Sequence, residues 1–117
     1  MLNLVDVIDP IYDEHYRSYS DKPCFTEEGV DFVRSVLACD RLLNTIGSFE
    51  YDAILVTNKD QPKPEIGQRF MGDIFFDKKE RFSDGQFIIT GTVKDITHYF
   101  SEITLVKTSR SNYLVIQ

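Results

Sequence analysis

The sequence predicts an α+β fold in which N-terminal helical segments pack on a small five-stranded antiparallel barrel, or on a strongly curved sheet. Two observations predict it. An amphipathic helical pattern covers residues 26–46 and ends at Gly47, and short strand-forming runs separated by turn residues fill 48–117. The 117 residues suit one domain, with a helical, acidic part at 1–47 and a β part at 48–117.

The first 25 residues combine a short apolar run with a set of tyrosines. The run at 2–8 fits either an edge strand or a helix start, and Asp9-Pro10 is expected to interrupt it. Pro10 suits the first turn of a following helix. Three tyrosines recur at helical spacing and would share one face of that helix: Tyr12, Tyr16 and Tyr19.

The segment 26–46 predicts the principal helix. Thr26 is a suitable N-cap, Glu27 and Glu28 favour the positive end of the helix dipole, and Gly47 is a suitable C-terminal stop. Apolar residues step by four and three positions along one stripe, which two further residues widen: Phe32, Val36, Cys39, Leu43 and Ile46, with Val33 and Leu37.

The remaining sequence predicts about five short antiparallel strands, at 49–57, 67–77, 86–100, 101–108 and 113–117. Phe70, Ile74 and Phe76 are expected on one side of the second strand. Asp84-Gly85 is a hairpin dipeptide, and Gly91 predicts a bend or bulge in the long third strand. Strands this short and this close in sequence favour a barrel of the Src-homology-3 type.

The net charge of −6 is concentrated at the N-terminus, because residues 1–28 carry −5 and residues 29–117 carry −1. This balance argues against direct nucleic-acid binding and against anionic membrane surfaces, and it permits a basic partner. The chain start lacks a basic signal region, and no stretch approaches the roughly 18 apolar residues of a membrane helix. We therefore expect a cytoplasmic protein with reduced thiols.

Chemistry-bearing motifs are sparse. His15 and His98 stand far apart, Cys24 and Cys39 lack metal-ligand spacing, and no glycine-rich phosphate loop is present. We therefore expect no catalytic residues, no metal and no cofactor, and a protein that is not an enzyme. One alternative is a small enzyme with Cys24 as a reactive thiol, because a thiol just before a helix N-terminus has a lowered pKa.

The most unusual feature is the acidic, tyrosine-rich N-terminal quarter. Tyrosine is enriched at binding hot spots, and nearby acids would attract a basic protein surface. The candidate partner-binding residues are Tyr12, Asp13, Glu14, Tyr16, Tyr19 and Asp21. Alternatively, the tyrosines pack this segment onto the barrel and the acids only maintain solubility.

Residues 81–93, with their Phe-Ser-Asp-Gly turn and Thr-Gly-Thr-Val strand, and residues 108–114 together resemble a pattern in small uncharacterised phage- and plasmid-encoded proteins. The resemblance covers 67–117, implies a mobile-element origin and supplies no catalytic residues. The leading hypothesis is a non-enzymatic binding module that inhibits a host defence protein or provides immunity to a toxin. The alternative is a structural, assembly or replication-accessory phage protein. The oligomeric state stays open.

Overall fold

A computed structural model describes residues 4–19, 22–39, 51–58, 60–100 and 102–117. Over these residues the chain forms two helices and a two-stranded hairpin, followed by five further strands. The first group is α1 (Leu4–His15), β1 (Tyr16–Tyr19), β2 (Lys22–Phe25) and α2 (Glu27–Cys39), and the second is β3 (Ala53–Val56), β4 (Arg69–Phe75), β5 (Gln86–Phe100), β6 (Ile103–Thr108) and β7 (Asn112–Ile116). The predicted α+β class is confirmed.

Strands β3 to β7 pair in sequence order and close into a barrel. Four of the five pairs are antiparallel, whereas β3 pairs with β7 in parallel, with Ala53 beside Tyr113 and Val56 beside Ile116. In an up-and-down barrel with an odd number of strands, the first and last strands run in the same direction, so their pairing must be parallel. The predicted five-stranded barrel is confirmed, and this one pair departs from its otherwise antiparallel pairing.

Two apolar clusters lie on either side of the barrel wall, because successive strand residues point to opposite faces. All five strands contribute to the inner cluster: Ala53, Leu55, Phe70, Ile74, Ile88, Val93, Val106, Tyr113 and Val115. The alternate residues of β3 and β7 point outward, where α1 and α2 cover them with Leu4, Ile8, Tyr12, Val33 and Leu37. The helices therefore pack on the outer wall over the β3–β7 seam.

Helix α1 begins at Leu4 and continues through Pro10 to His15. The prediction that Asp9-Pro10 interrupts the first run, and that Pro10 opens a later helix, is wrong. A proline inside a helix removes one backbone hydrogen bond. Leu4, Ile8 and Tyr12 recur every fourth residue and are all buried against the barrel. That tertiary packing offsets the free-energy cost of the backbone hydrogen bond that is lost at Pro10.

Helix α2 starts as predicted, because the Thr26 hydroxyl accepts a hydrogen bond from the Gly29 N–H at 3.1 Å. Its buried face differs from the predicted stripe. Val33 and Leu37 are buried, whereas the side chain of Phe32 is half exposed. The helix is thus rotated by about one residue relative to the prediction. Its predicted stop, Gly47, lies outside the described residues.

Local turn and bulge signals in the β part are largely confirmed. Gly85 has a positive φ of 84° in the turn before β5. In the β4–β5 pair, Arg69 lies opposite Thr92 and Met71 lies opposite Ile89. This stretch of β5, which contains Gly91, is therefore one residue longer than the β4 stretch that it faces, and this is a bulge. Phe76 is a correction: it lies beyond β4, has a positive φ of 54° and is exposed, so it does not share the buried side of the strand.

Candidate functional site

The N-terminal tyrosines do not form the predicted helical stripe. Tyr12 lies in α1 and is buried, whereas Tyr16 and Tyr19 lie in β1, because the helix ends at His15. Tyr16 is half-buried. The Tyr19 side chain and the whole of Asp21 lie outside the described residues, so their role in partner binding stays a prediction.

The hydroxyls of Tyr12 and Tyr16 meet at one buried carboxyl group, that of Asp73 in β4. The Tyr12 hydroxyl lies 2.8 Å from Asp73 Oδ2 and 3.0 Å from the backbone oxygen of Val56. The Tyr16 hydroxyl donates to Asp73 Oδ1 at 3.2 Å. The rings of Tyr12, Tyr16 and Phe25 pack at centroid distances of 4.7 to 4.9 Å, which joins α1 and the β1–β2 hairpin over the same site.

Burial changes the acidity of the Asp73 carboxyl group. Asp73 is 2% exposed, and desolvation raises the pKa of its carboxyl to about 7, although the hydrogen bonds from Tyr12 and Tyr16 oppose the shift. Sequence reasoning missed this residue. The available signal was an aspartate between the apolar residues of a strand, a position at which this residue type is depleted.

Exposed acidic residues, including the predicted Asp13 and Glu14, lie on the outer surface where α1 ends and α2 begins. Asp13 and Glu14 are exposed at the end of α1, and Glu27 and Glu28 are exposed in the first turn of α2. Glu14, His15 and these two glutamates line an open cleft of about 450 Å³. The structure therefore brings acids from both helices together at one surface.

An apolar groove of about 310 Å³ adjoins this cleft, between α1 and α2. Seven residues line it: Val7, Pro10, Ile11, Glu14, His15, Phe32 and Val36. Phe32 is 50% exposed, and its ring lies 5.2 Å from that of His15. Because Glu14 and His15 line both depressions, the two form one continuous surface. We call the seven residues the α1–α2 groove. The exposed acids of the adjoining cleft, together with Asp13 next to Glu14 in the chain, form the acidic rim (Asp13, Glu14, Glu27 and Glu28).

Among the described residues, no group of three or more His, Cys, Asp or Glu side chains is placed to hold a metal ion. Cys24 lies in β2, and its side chain is not described, so the reactive-thiol alternative stays a prediction. Neither described helix is long and apolar enough to span a membrane.

Comparison with known proteins places the chain beside a phage protein. An uncharacterized 12.8 kDa protein from the cd-pseT intergenic region of Enterobacteria phage T4 is 40% identical over 116 residues, or 99% of this chain and 98% of the relative. This chain belongs to the family of that phage protein. No family model matches it, and no solved structure matches it. The resemblance to small phage proteins is thus confirmed and extends over nearly the whole chain, while the motifs proposed to carry it are untested.

Proposed function

We propose that this protein is a non-enzymatic protein-binding module of a phage, and that it covers a basic surface of a host or toxin protein with the α1–α2 groove and its acidic rim. The observation that carries the proposal is the half-exposed Phe32 in an apolar groove, which adjoins a cleft lined by acids from both helices. Its relationship to a phage T4 protein supports the phage setting.

The arrangement has the composition of a protein interface. Such interfaces have an apolar centre, often aromatic, within a polar or charged border. Phe32, Ile11 and Val36 supply the centre, and Glu14 lies at the border of the groove. A large aromatic side chain left half exposed beside other apolar groups is typical of a binding surface rather than of a solvated one.

The charge of the acidic rim selects the kind of partner. The four acids of the rim are exposed, and Glu27 and Glu28 form no ion pair with the described residues. A basic segment would be attracted over long range, which speeds encounter, and would be retained by its apolar contacts. The partner that fits is a segment with lysine or arginine residues flanking one or two apolar side chains.

This proposal modifies the role expected for the tyrosines. Tyr12 packs against the barrel beneath α1, so Phe32 supplies the aromatic contact in its place. Asp13 and Glu14 keep their expected role. In action, the protein would inhibit a host defence protein or neutralise a toxin by occupying a surface that the target needs for its own function.

The test is affinity capture from a bacterial lysate with three tagged proteins, all of which are folded. The wild-type protein is compared with a rim variant (Asp13→Asn, Glu14→Gln, Glu28→Gln) and with a matched variant that neutralises three exposed acids elsewhere (Asp60→Asn, Glu65→Gln, Asp95→Asn). We expect a basic partner that the rim variant loses and the matched variant retains. Equal loss with both variants would show that only net charge matters and would overturn the proposal.

A second candidate function is assembly, favoured by one apolar pair on the barrel wall. Met71 and Ile89 face each other across β4 and β5, and both side chains are exposed. Such a pair can bury itself against a second copy of the chain. Light scattering decides this: a concentration-dependent dimer that Ile89→Ser abolishes supports assembly, and a monomer at all concentrations rejects it.

A further inference from the structure

The Tyr12 hydroxyl has one hydrogen but lies within hydrogen-bond distance of two acceptors. Asp73 Oδ2 is 2.8 Å away and the Val56 carbonyl oxygen is 3.0 Å away. If the carboxyl is ionised, Tyr12 can donate to only one of them. If the carboxyl is protonated, Asp73 donates to the Tyr12 oxygen, Tyr12 donates to Val56, and Tyr16 donates to Asp73 Oδ1 at 3.2 Å. The protonated form therefore satisfies the whole network.

Among the side chains that the structure describes, none is a cation that compensates a charge on Asp73. The titratable groups that face it are the hydroxyls of Tyr12 from α1 and Tyr16 from β1, and Asp9 lies near enough to Tyr12 to add negative potential. Its register partners are Val56 in β3 and Phe87 in β5, which carry no charge. No described lysine, arginine or histidine pairs with it. Among the described side chains, hydroxyl groups are the partners of Asp73, so an ionised Asp73 would be a buried charge without an opposite charge from them, which is unfavourable.

We infer that Asp73 is a proton-dependent latch, which holds α1 and the β1–β2 hairpin on the barrel when its carboxyl is protonated and loosens both when it ionises. The three groups of the network come from separate elements, namely α1, β1 and the barrel strand β4. One proton therefore joins parts of the chain that are distant in sequence. Its loss affects their docking rather than the barrel itself.

The latch also regulates the proposed binding surface, and this part of the inference rests on the proposed function. Helix α1 turns Tyr12 toward the barrel and supplies Val7, Ile11 and Glu14 to the α1–α2 groove. A change in the position of α1 on the barrel therefore changes one wall of the groove. Partner binding would be tighter at mildly acidic pH than at mildly alkaline pH.

The direction of the pH effect follows from proton binding. The folded protein retains a proton up to about pH 7, whereas an exposed aspartate loses it near pH 4. The stabilisation is fully present below about pH 4 and is lost as the pH rises toward 7. Between about pH 4 and pH 7, the equilibrium constant for opening of the latch should rise by up to about tenfold per pH unit. Above about pH 7 it should stay constant.

Amide hydrogen exchange tests this without any partner. Protection factors for α1 and β1 are compared with those for β6 and β7 between pH 5 and 8, in wild type, in Asp73→Asn and in the exposed control Glu65→Gln. The amide of Asp73→Asn can donate to Tyr12 as the protonated acid does, so its protection should be independent of pH. We expect protection of α1 and β1 to fall with pH in wild type and Glu65→Gln only. Identical pH dependence in all three proteins would overturn the latch.

A second measurement remains decisive if Asp73→Asn fails to fold. The carbon resonance of the Asp73 carboxyl in the wild-type protein is titrated by NMR. A midpoint near pH 7 supports the latch, and one near pH 4 overturns it. Both measurements omit the partner, so their outcome does not depend on the proposed function. If the latch is confirmed but partner affinity is the same at pH 6 and pH 8, only the coupling to the groove is rejected.

Discussion

The carboxylate of Glu102 accepts a hydrogen bond from the backbone N–H of Leu4 at 2.8 Å, across 98 positions of sequence. Its second oxygen accepts from the N–H of Val5 at 3.2 Å. Glu102 directly precedes β6 and is 8% exposed, so a barrel residue caps the first turn of α1. With this cap at one end and the Tyr12–Asp73 contact near the other, α1 is fixed to the barrel at two points.

Loss of this cap should destabilise the protein. We expect Glu102→Ala to lower the free energy of unfolding by about 1–2 kcal/mol, because two N–H groups and the helix dipole lose a negative partner. Glu102→Gln keeps one acceptor oxygen and should cost less. Urea denaturation measures both, with Glu65→Ala as the exposed control. Equal stability of Glu102→Ala and the control would refute the capping role.

Replacing Gly29 in α2 by alanine should change the stability in the opposite direction to the one that helix propensity predicts. A Cβ at this position would lie 2.7 Å from the Cβ of His15 and 3.1 Å from the ring of Phe25. Alanine ordinarily favours a helix by about 1 kcal/mol over glycine. We expect the steric overlap to dominate, so that Gly29→Ala lowers the free energy of unfolding by about 1–3 kcal/mol.

Thermal denaturation checks the Gly29 prediction, with Ser35→Ala as a control on the exposed face of the same helix. The control should change stability by less than about 0.5 kcal/mol. A Gly29→Ala protein more stable than wild type would show that α1 and α2 do not need this close approach.

Removing the Tyr16 hydroxyl should shift the titration of Asp73. Tyr16 donates to Asp73 Oδ1 in both protonation states, and a hydrogen bond donated to a carboxylate is stronger than the same bond donated to the neutral acid. In Tyr16→Phe the Asp73 midpoint should therefore move above its value of about 7, while the ring packing is retained. NMR titration measures this shift against wild type, and a downward shift contradicts the assigned network.

Asp77 should be important for the loop between β4 and β5. Its carboxylate accepts hydrogen bonds from the backbone N–H groups of Lys79, Arg81 and Phe82 and from the Arg81 guanidinium. Burial opposes ionisation, but these hydrogen bonds hold the pKa of Asp77 below its ordinary value. The stabilisation is therefore present at neutral pH and is lost as the pH falls below about 4.

We expect Asp77→Ala to lower the free energy of unfolding at pH 7 by about 1–3 kcal/mol. The difference from wild type should shrink in acid, which urea denaturation at pH 7 and pH 3 can measure. Asp60→Ala, in another exposed loop, is the control. A difference that stays constant over this pH range would contradict the role of the ionised carboxylate.

The features predicted from sequence are those that neighbouring residues determine. The Thr26 cap, the Gly85 turn and the bulge beside Gly91 depend on backbone conformation and on partners in nearby strands or turns. Features that depend on tertiary contacts were missed. Helix α1 passes through Pro10 because its buried face packs on the barrel, and the parallel β3–β7 pair follows from barrel closure.

The candidate site was predicted only in part, for the same reason. The acidic character of Asp13 and Glu14 is a property of composition, and the structure places both on the surface. The burial of Tyr12 against Asp73 joins residues 61 positions apart, which no local pattern indicates. Phe32 was expected in the core, because the helical period alone leaves the orientation of α2 uncertain by about one residue.

The central claim is that the α1–α2 groove binds a basic segment of a partner, and cross-linking from the groove itself tests it most directly. A photoreactive amino acid is placed at position 32, and in a second protein at position 89 on the barrel wall. Each is irradiated in lysate, and the linked peptides are identified by mass spectrometry. We predict one dominant partner peptide from position 32, rich in lysine and arginine, and none of it from position 89. The same peptide from both positions, or an acidic peptide from position 32, would contradict the account.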